Sequence, residues 1–212
     1  LVQAICHCPC TDSSILISHL QSPAVLKRLV ALVGKTRENN NESSLHAALC
    51  VLNALLNREN SHNAPQGEDE SDPASDELQW GLSPLVEAVL PLVPGLVQLF
   101  ADPPECLSGT VPTQIRRTLQ PLGRARLQVV TLLLALLEGL LTAGESTVAV
   151  VKVLCEAQVM PALVDLFFRY EWNSVLHHLF ARAVGAVLRG NNEALYASLF
   201  IDGAFVSRID AA

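Results

Sequence analysis

The sequence predicts an all-α protein of stacked helical hairpins, an α-solenoid of the armadillo or HEAT type. Half of the 212 residues are hydrophobic and only 17% are charged, a composition that favours a folded chain with a large core. Apolar residues recur at helical spacing between capping residues, and the alternation typical of strands is almost absent. Because the helices are irregularly spaced, a compact helical bundle is the structural alternative. We expect one domain over residues 1–212.

Two amphipathic segments predict the first hairpin. Ser22 and Pro23 supply an N-cap and a first-turn proline, and the helix that follows them ends at Gly34. The second helix begins at Ser43 or the next serine, and polar residues replace its apolar face from Asn57 onward. The polar turn between the segments makes them a hairpin.

An acidic insertion is predicted at about residues 58–80. Between Gly67 and Glu77 it contains six acidic residues and no basic one, so we expect it to be solvated and disordered. Without these six acids the formal charge of the chain would be −1 instead of −7. The insertion is interpreted as a tolerated surface loop, with an acidic docking or regulatory segment as the alternative.

Helical signals resume at Ser83 and Pro84 and continue to Phe100. Pro91 and Pro94 are expected to kink or split this helix, because proline lacks a backbone donor and clashes with the preceding turn.

After a loop over residues 102–123, residues 127–141 form the most apolar segment of the chain. Its uninterrupted apolar run is far shorter than the roughly 18 to 20 residues that a membrane span needs. We therefore predict a helix buried by neighbours on both sides, and no membrane span.

The last third of the sequence predicts a series of shorter helices. Gly190 with Asn191, and Asp202 with Gly203, supply the stops between them. The predicted helices run from Ser146 to Ala157, from Met160 to Tyr170, from Asn173 to Arg189, from Asn192 to Phe200, and from Asp202 or Gly203 onward.

Charge and motif content exclude several classes of function. The 14 basic residues against 21 acidic ones form no long basic stripe, which argues against binding to nucleic acid. Phosphate-binding glycine loops, a nucleophile elbow and an H-E-x-x-H pair are all missing from the sequence. No cofactor, metal site or catalytic residue is therefore predicted.

Two sets of candidate ligands are also interpreted as structural. His177 and His178 are neighbours on a helix and point about 100° apart, so we expect one to be packed and the other solvated. Cys6, Cys8 and Cys10 lie too close together to supply the usual paired zinc ligands. The isolated Cys50 and Cys155 lie among apolar residues, which indicates buried free thiols and a reducing compartment.

One positive cluster precedes the most apolar helix. It consists of Arg116, Arg117, Arg124 and Arg126, at a helix start where the dipole would favour acids. We expect these arginines to contact an acidic partner, the acidic insertion or the carbonyls of a neighbouring repeat. Solvated loop cations are an equally weighted alternative.

Two segments resemble a known protein family. Residues 121–130 read P-L-G-R-A-R-L-Q-V-V, and residues 163–177 read L-V-D-L-F-F-R-Y-E-W-N-S-V-L-H. In this order and interval they resemble the P-L-G-x-x-R-L-x-V-V and D-L-F-F-x-Y-x-W-N-N-x-L-H elements of the SAPS family, the Sit-type phosphatase-associated proteins. The similarity continues to residue 209, and Ser174 replaces the second Asn of the family pattern.

The resemblance implies a non-catalytic regulatory subunit. Such a helical scaffold would bind the catalytic subunit of a type-six serine/threonine protein phosphatase, direct it to substrates, and reside in the cytoplasm, with the nucleus as a second location. A generic armadillo-like interaction adaptor is the first alternative. An enzyme with an unrecognised helical active site is the second.

Five residues are predicted to contact a partner: Arg124, Arg126, Trp172, Asn173 and His177. The neighbouring Phe167 and Phe168 are interpreted as core at a corner between repeats. Trp172 is expected at the surface, and Asn173 is placed to cap the helix that follows it.

Overall fold

A computed structural model describes residues 17–35, 41–63, 82–107, 109–112, 118–141 and 147–211. Within these ranges the chain is almost entirely helical, which confirms the all-α class. Several predictions fall outside the described residues, namely those on Cys6, Cys8 and Cys10, on the acidic stretch between Gly67 and Glu77, and on Arg116 and Arg117.

The helices follow the predicted order. They are α1 (Pro23–Gly34), α2 (Glu42–Asn63), α3 (Pro84–Val89), α4 (Val93–Ala101), α5 (Arg124–Gly139), α6 (Thr147–Glu156), α7 (Val159–Arg169), α8 (Ser174–Gly190), α9 (Glu193–Ala197) and α10 (Phe205–Asp210). Short 3-10 turns lie at Leu90–Leu92 and Glu105–Leu107, and a π-helical turn lies at Ser198–Asp202. The two-residue strands β1 (Val111–Pro112) and β2 (Thr118–Leu119) pair in antiparallel fashion.

Helix α2 extends to Asn63, so the predicted end at Asn57 is wrong. The polar residues that suggested an end continue the helix, because α2 lies along α5 and Asn60 bonds to it: Asn60 Nδ2 donates to the Ala135 carbonyl at 2.8 Å. The predicted acidic insertion therefore overlaps the helix over residues 58–63, and residues 64–81 lie outside the described ranges.

The prolines act as predicted on the third helical segment. Ser83 caps α3 by accepting from the Val86 amide at 3.2 Å, and Pro84 occupies the first turn. Pro91 lies in the 3-10 turn that separates α3 from α4, and Pro94 lies in the first turn of α4. The split follows from the hydrogen bonds that proline cannot make.

Helix α5 is the central element of the fold. Ten of its residues are buried, and it packs most extensively against α2 on one side and α8 on the other. This confirms the predicted helix buried by two neighbours. Asn53 contacts Gln128 and Asn60 contacts Ala135, so the contacts advance along both helices in the same order. Helices α2 and α5 therefore run in the same direction. Parallel neighbours of this kind fit stacked hairpins, and the armadillo or HEAT-like α-solenoid stays a prediction.

Apolar helical stretches also occur away from α5. Among the described residues, Pro84–Ala101 is long and apolar enough to cross a membrane, and Thr147–Glu156 with Val159–Arg169 would qualify as one segment bent by 53°. Core helices meet the same criterion of length and composition. Leu85, Val89, Val93 and Leu96 of the first stretch are buried, and 33% of that stretch is buried as a whole.

Candidate partner-binding site

Arg126 is a buried cation at the start of α5, with 0% of its surface exposed. Its Nε donates to the Leu122 carbonyl at 2.7 Å, and its Nη2 donates to the carbonyls of Pro121 at 2.8 Å and Leu107 at 3.1 Å. The carbonyls that Arg126 contacts belong to Leu107 and to the residues just before α5, so they are not shown to be those of a neighbouring repeat, as predicted for the arginine cluster. The prediction of a direct partner contact is corrected for this residue, because its side chain is not accessible.

Arg124 lies on the opposite side of the same helical turn and is exposed. Side chains two positions apart on an α-helix point about 200° away from each other, which is why Arg124 faces solvent while Arg126 points inward. Arg124 therefore stays available as a partner contact.

Tyr170 connects the end of α7 to the start of α5. Its ring contacts two guanidinium groups, with the Cζ of Arg126 at 5.9 Å and that of Arg169 at 5.7 Å from the ring centroid. Arg169 also donates to the Gln120 side-chain oxygen at 3.0 Å. Among the described residues, the Tyr170 hydroxyl and the Arg126 Nη1 are buried without a hydrogen-bond partner. These contacts join two segments that are 44 residues apart in the sequence.

The turn between α7 and α8 presents Trp172 to solvent, with 89% of its surface exposed. The next residue, Asn173, caps α8 by accepting the Leu176 amide on Oδ1 at 3.0 Å. The predicted cap is confirmed, and so is the predicted surface position of Trp172.

His177 packs beneath this turn, whereas His178 is exposed, as predicted. The Nε2 of His177 lies 3.2 Å from the Phe167 carbonyl oxygen, and its ring lies 4.5 Å from the Phe167 ring centroid. Because a carbonyl only accepts, Nε2 carries the proton in this contact. Through these contacts with Phe167, His177 ties the start of α8 to the end of α7.

An aromatic cluster fills the corner between α7, α8 and α10. The Phe167 ring contacts Phe180 at 4.7 Å and Phe168 at 5.2 Å, and Phe205 contacts Phe180 at 5.2 Å. Phe167 and Phe168 are half-buried and pack against the core, as interpreted, and the corner between repeats stays a prediction. Arg208 closes the cluster by lying 4.6 Å from the Phe168 centroid and pairing with Asp165.

The described residues offer two free thiols and no cluster of metal ligands. No three His, Cys, Asp or Glu side chains come together there as metal ligands. Burial raises the pKa of Cys50, and burial with the nearby Asp202 raises that of Cys155. Both thiols are half-buried, and a raised pKa keeps them protonated and weakly nucleophilic.

Residues that organise this region were missed by sequence reasoning. Gln120 and Arg169 gave no signal, because their contact spans 49 positions and depends on the tertiary fold. Asn53 and Asn60 did carry a signal: they are seven residues apart, which places two polar side chains on one face of α2.

A family model described as SIT4 phosphatase-associated protein matches residues 4–142 and 149–212. Serine/threonine-protein phosphatase 6 regulatory subunit 3-B of Xenopus laevis is 27% identical over 164 residues, which cover 76% of this chain and 18% of that protein. Serine/threonine-protein phosphatase 6 regulatory subunit 2 of Mus musculus is 31% identical over 123 residues, or 58% of this chain and 12% of that protein. The chain thus spans less than a fifth of the relatives it matches. No solved structure matches it.

Proposed function

This chain belongs to the SIT4 phosphatase-associated protein family, and on that basis we propose that it acts in a regulatory subunit of a type-six serine/threonine protein phosphatase. In this role it binds the catalytic subunit and directs it to substrates, and it contributes no catalytic group of its own. The observation that carries the proposal is the family match, which extends over most of the chain.

The surface chemistry supports a binding role. Exposed Arg124 and Trp172 belong to two segments that meet at Tyr170, through its contacts with Arg126 and Arg169. A buried framework under exposed side chains suits a protein that recognises a partner through a fixed surface, because less conformational entropy is lost on binding.

We further propose a cytoplasmic location, with the nucleus as a second one.

A generic interaction adaptor is the alternative function. Such a protein would use the same kind of helical surface without preference for a phosphatase. The two functions differ in one measurable property, which is selectivity among catalytic subunits.

Binding of the purified chain to purified phosphatase catalytic subunits tests the proposal. We expect saturable binding to the type-six catalytic subunit by biolayer interferometry, and binding at least tenfold weaker to a catalytic subunit of another serine/threonine phosphatase type. Equal binding to both would favour the adaptor. A chain that is folded by circular dichroism but binds neither subunit contradicts the proposed function.

A further inference from the structure

Trp172 is exposed to an unusual degree for its size. It has 89% of its surface in solvent, whereas Ile201, at 75%, is the next most exposed large apolar side chain of the described residues. Tryptophan carries one of the largest apolar surfaces among side chains, so leaving it in water forfeits hydrophobic stabilisation.

Packing accounts for several apolar residues near Trp172 in the sequence, although Val175 is also exposed, at 55%. Leu163, Leu166 and Leu176 are buried, and Phe167 lies in the aromatic cluster. Trp172 belongs to the same family-like segment, yet it makes no ring contact with the other described aromatic residues. Packing within the described residues therefore does not account for Trp172.

The backbone on the amino-terminal side of Trp172 is fixed by Tyr170. The Tyr170 ring contacts the guanidinium groups of Arg126 and Arg169, and the Tyr170 amide donates to the Leu166 carbonyl at 3.0 Å. Arg126 is itself held by three backbone carbonyls. A residue two positions before Trp172 is thus anchored to the core.

The backbone on the carboxyl-terminal side is fixed by Asn173. Its amide donates to the Tyr170 carbonyl at 3.0 Å, its carbonyl accepts the His177 amide at 3.0 Å, and its side chain caps α8. His177 in turn bonds to the Phe167 carbonyl below the turn. Trp172 is therefore held between two anchored residues and presented in one backbone conformation.

We infer that Trp172 is the anchor that inserts into an apolar pocket on the phosphatase catalytic subunit, an inference that rests on the proposed function. An aromatic side chain on a fixed backbone loses little entropy on binding, because only its two side-chain torsions must be ordered. Tryptophan is also enriched among the residues that dominate interface energies. Arg169 and Glu171 flank it and are both exposed, which supplies the polar rim that surrounds such anchors. The pocket is expected to offer an acceptor to the indole Nε1–H.

Binding of the purified chain and its variants to the type-six catalytic subunit tests this inference. We expect Trp172→Ala to weaken binding by on the order of 30-fold, the loss that defines an interface hot spot. Trp172→Phe should retain more affinity than Trp172→Ala, because it keeps an aromatic ring. Ile201→Ala is the matched control, since it removes a similarly exposed apolar side chain elsewhere, and we expect a change of less than twofold.

A spectroscopic readout tests burial of the indole directly. With Trp80→Phe, Trp172 is the sole tryptophan, and 5-fluorotryptophan gives it a single ¹⁹F signal that should shift when the catalytic subunit is added. If Trp172→Ala binds the catalytic subunit as tightly as the unaltered chain does, this inference is wrong and the proposed function stands. If the unaltered chain does not bind the catalytic subunit, both the inference about Trp172 and the proposed function are wrong. A binding loss in Ile201→Ala equal to that in Trp172→Ala also rejects the anchor.

Discussion

The side-chain oxygen of Asn60 lies 2.9 Å from the point where a β-carbon on Gly139 would stand. Asn60 is not free to withdraw, because its Nδ2 donates to the Ala135 carbonyl on the same helix as Gly139. The glycine at the end of α5 thus gives room to an asparagine that joins α2 to α5.

Replacement of this glycine should therefore show coupling to Asn60. Glycine to alanine in a helix usually stabilises by about 0.5–1 kcal/mol. We expect Gly139→Ala to destabilise the native protein instead, by about 1 kcal/mol, because it displaces the Asn60 hydrogen bond. In an Asn60→Ala background the same change should become stabilising.

A double-mutant cycle measured by urea unfolding checks this reversal. If Gly139→Ala has the same effect on the free energy of unfolding in both backgrounds, the two residues are not coupled as the geometry indicates.

Removal of the Arg126 side chain should destabilise the fold. Arg126→Ala leaves the carbonyls of Leu122, Pro121 and Leu107 without this donor in a buried site, and we expect the free energy of unfolding to fall by roughly 1–3 kcal/mol, the cost of leaving buried polar groups unsatisfied. Arg124→Ala is the control, because the exposed neighbour should change stability by no more than about 0.5 kcal/mol. Comparable losses for the two variants in chemical denaturation would refute the structural role of Arg126.

Gly123 and Gly95 should respond to alanine with opposite signs. Gly123 has a φ of 78° and a ψ of 160°, a backbone region essentially confined to glycine, so an alanine there should cost about 1–3 kcal/mol. Gly95 lies in α4 with open space around its would-be β-carbon, and alanine there should stabilise by about 0.5–1 kcal/mol. The midpoints of thermal unfolding of the two variants should lie on opposite sides of that of the unaltered protein, and a rise for Gly123→Ala would contradict the strained turn.

The two described thiols should react slowly with alkylating reagents. Burial raises the pKa of Cys50 and Cys155, so less thiolate is present in the folded than in the unfolded chain at the same pH. We expect iodoacetamide to modify both residues several-fold more slowly in buffer at pH 8 than in urea at pH 8, as measured by peptide mass spectrometry.

The same shifts predict how stability depends on pH. A thiol whose folded pKa lies above the unfolded value near 9.0 contributes stability that is complete below that value and is lost as pH rises through the folded pKa. The free energy of unfolding should therefore fall above about pH 9. The double variant Cys50→Ser with Cys155→Ser should show a smaller fall. An unchanged alkaline slope would show that other groups cause it.

Much of the helical organisation was predictable from the sequence, because its signals are local. Ser83 and Pro84 begin α3, Pro91 interrupts it, and Asn173 caps α8, each through contacts within a few residues. The apolar pattern after Leu127 likewise determines a buried helix. The end of α2 was not predictable in this way, since Asn60 is stabilised in the helix by a partner 75 positions away.

The sequence by itself determined the helical class and the family. Only the tertiary structure decided which cation is structural: Arg124 and Arg126 are chemically identical, but a rotation of about 200° around α5 leaves one in solvent and seats the other among three carbonyls and Tyr170. The same packing fixes the turn around Trp172. Side-chain identity sets what a residue can bind, whereas packing sets whether a partner can reach it.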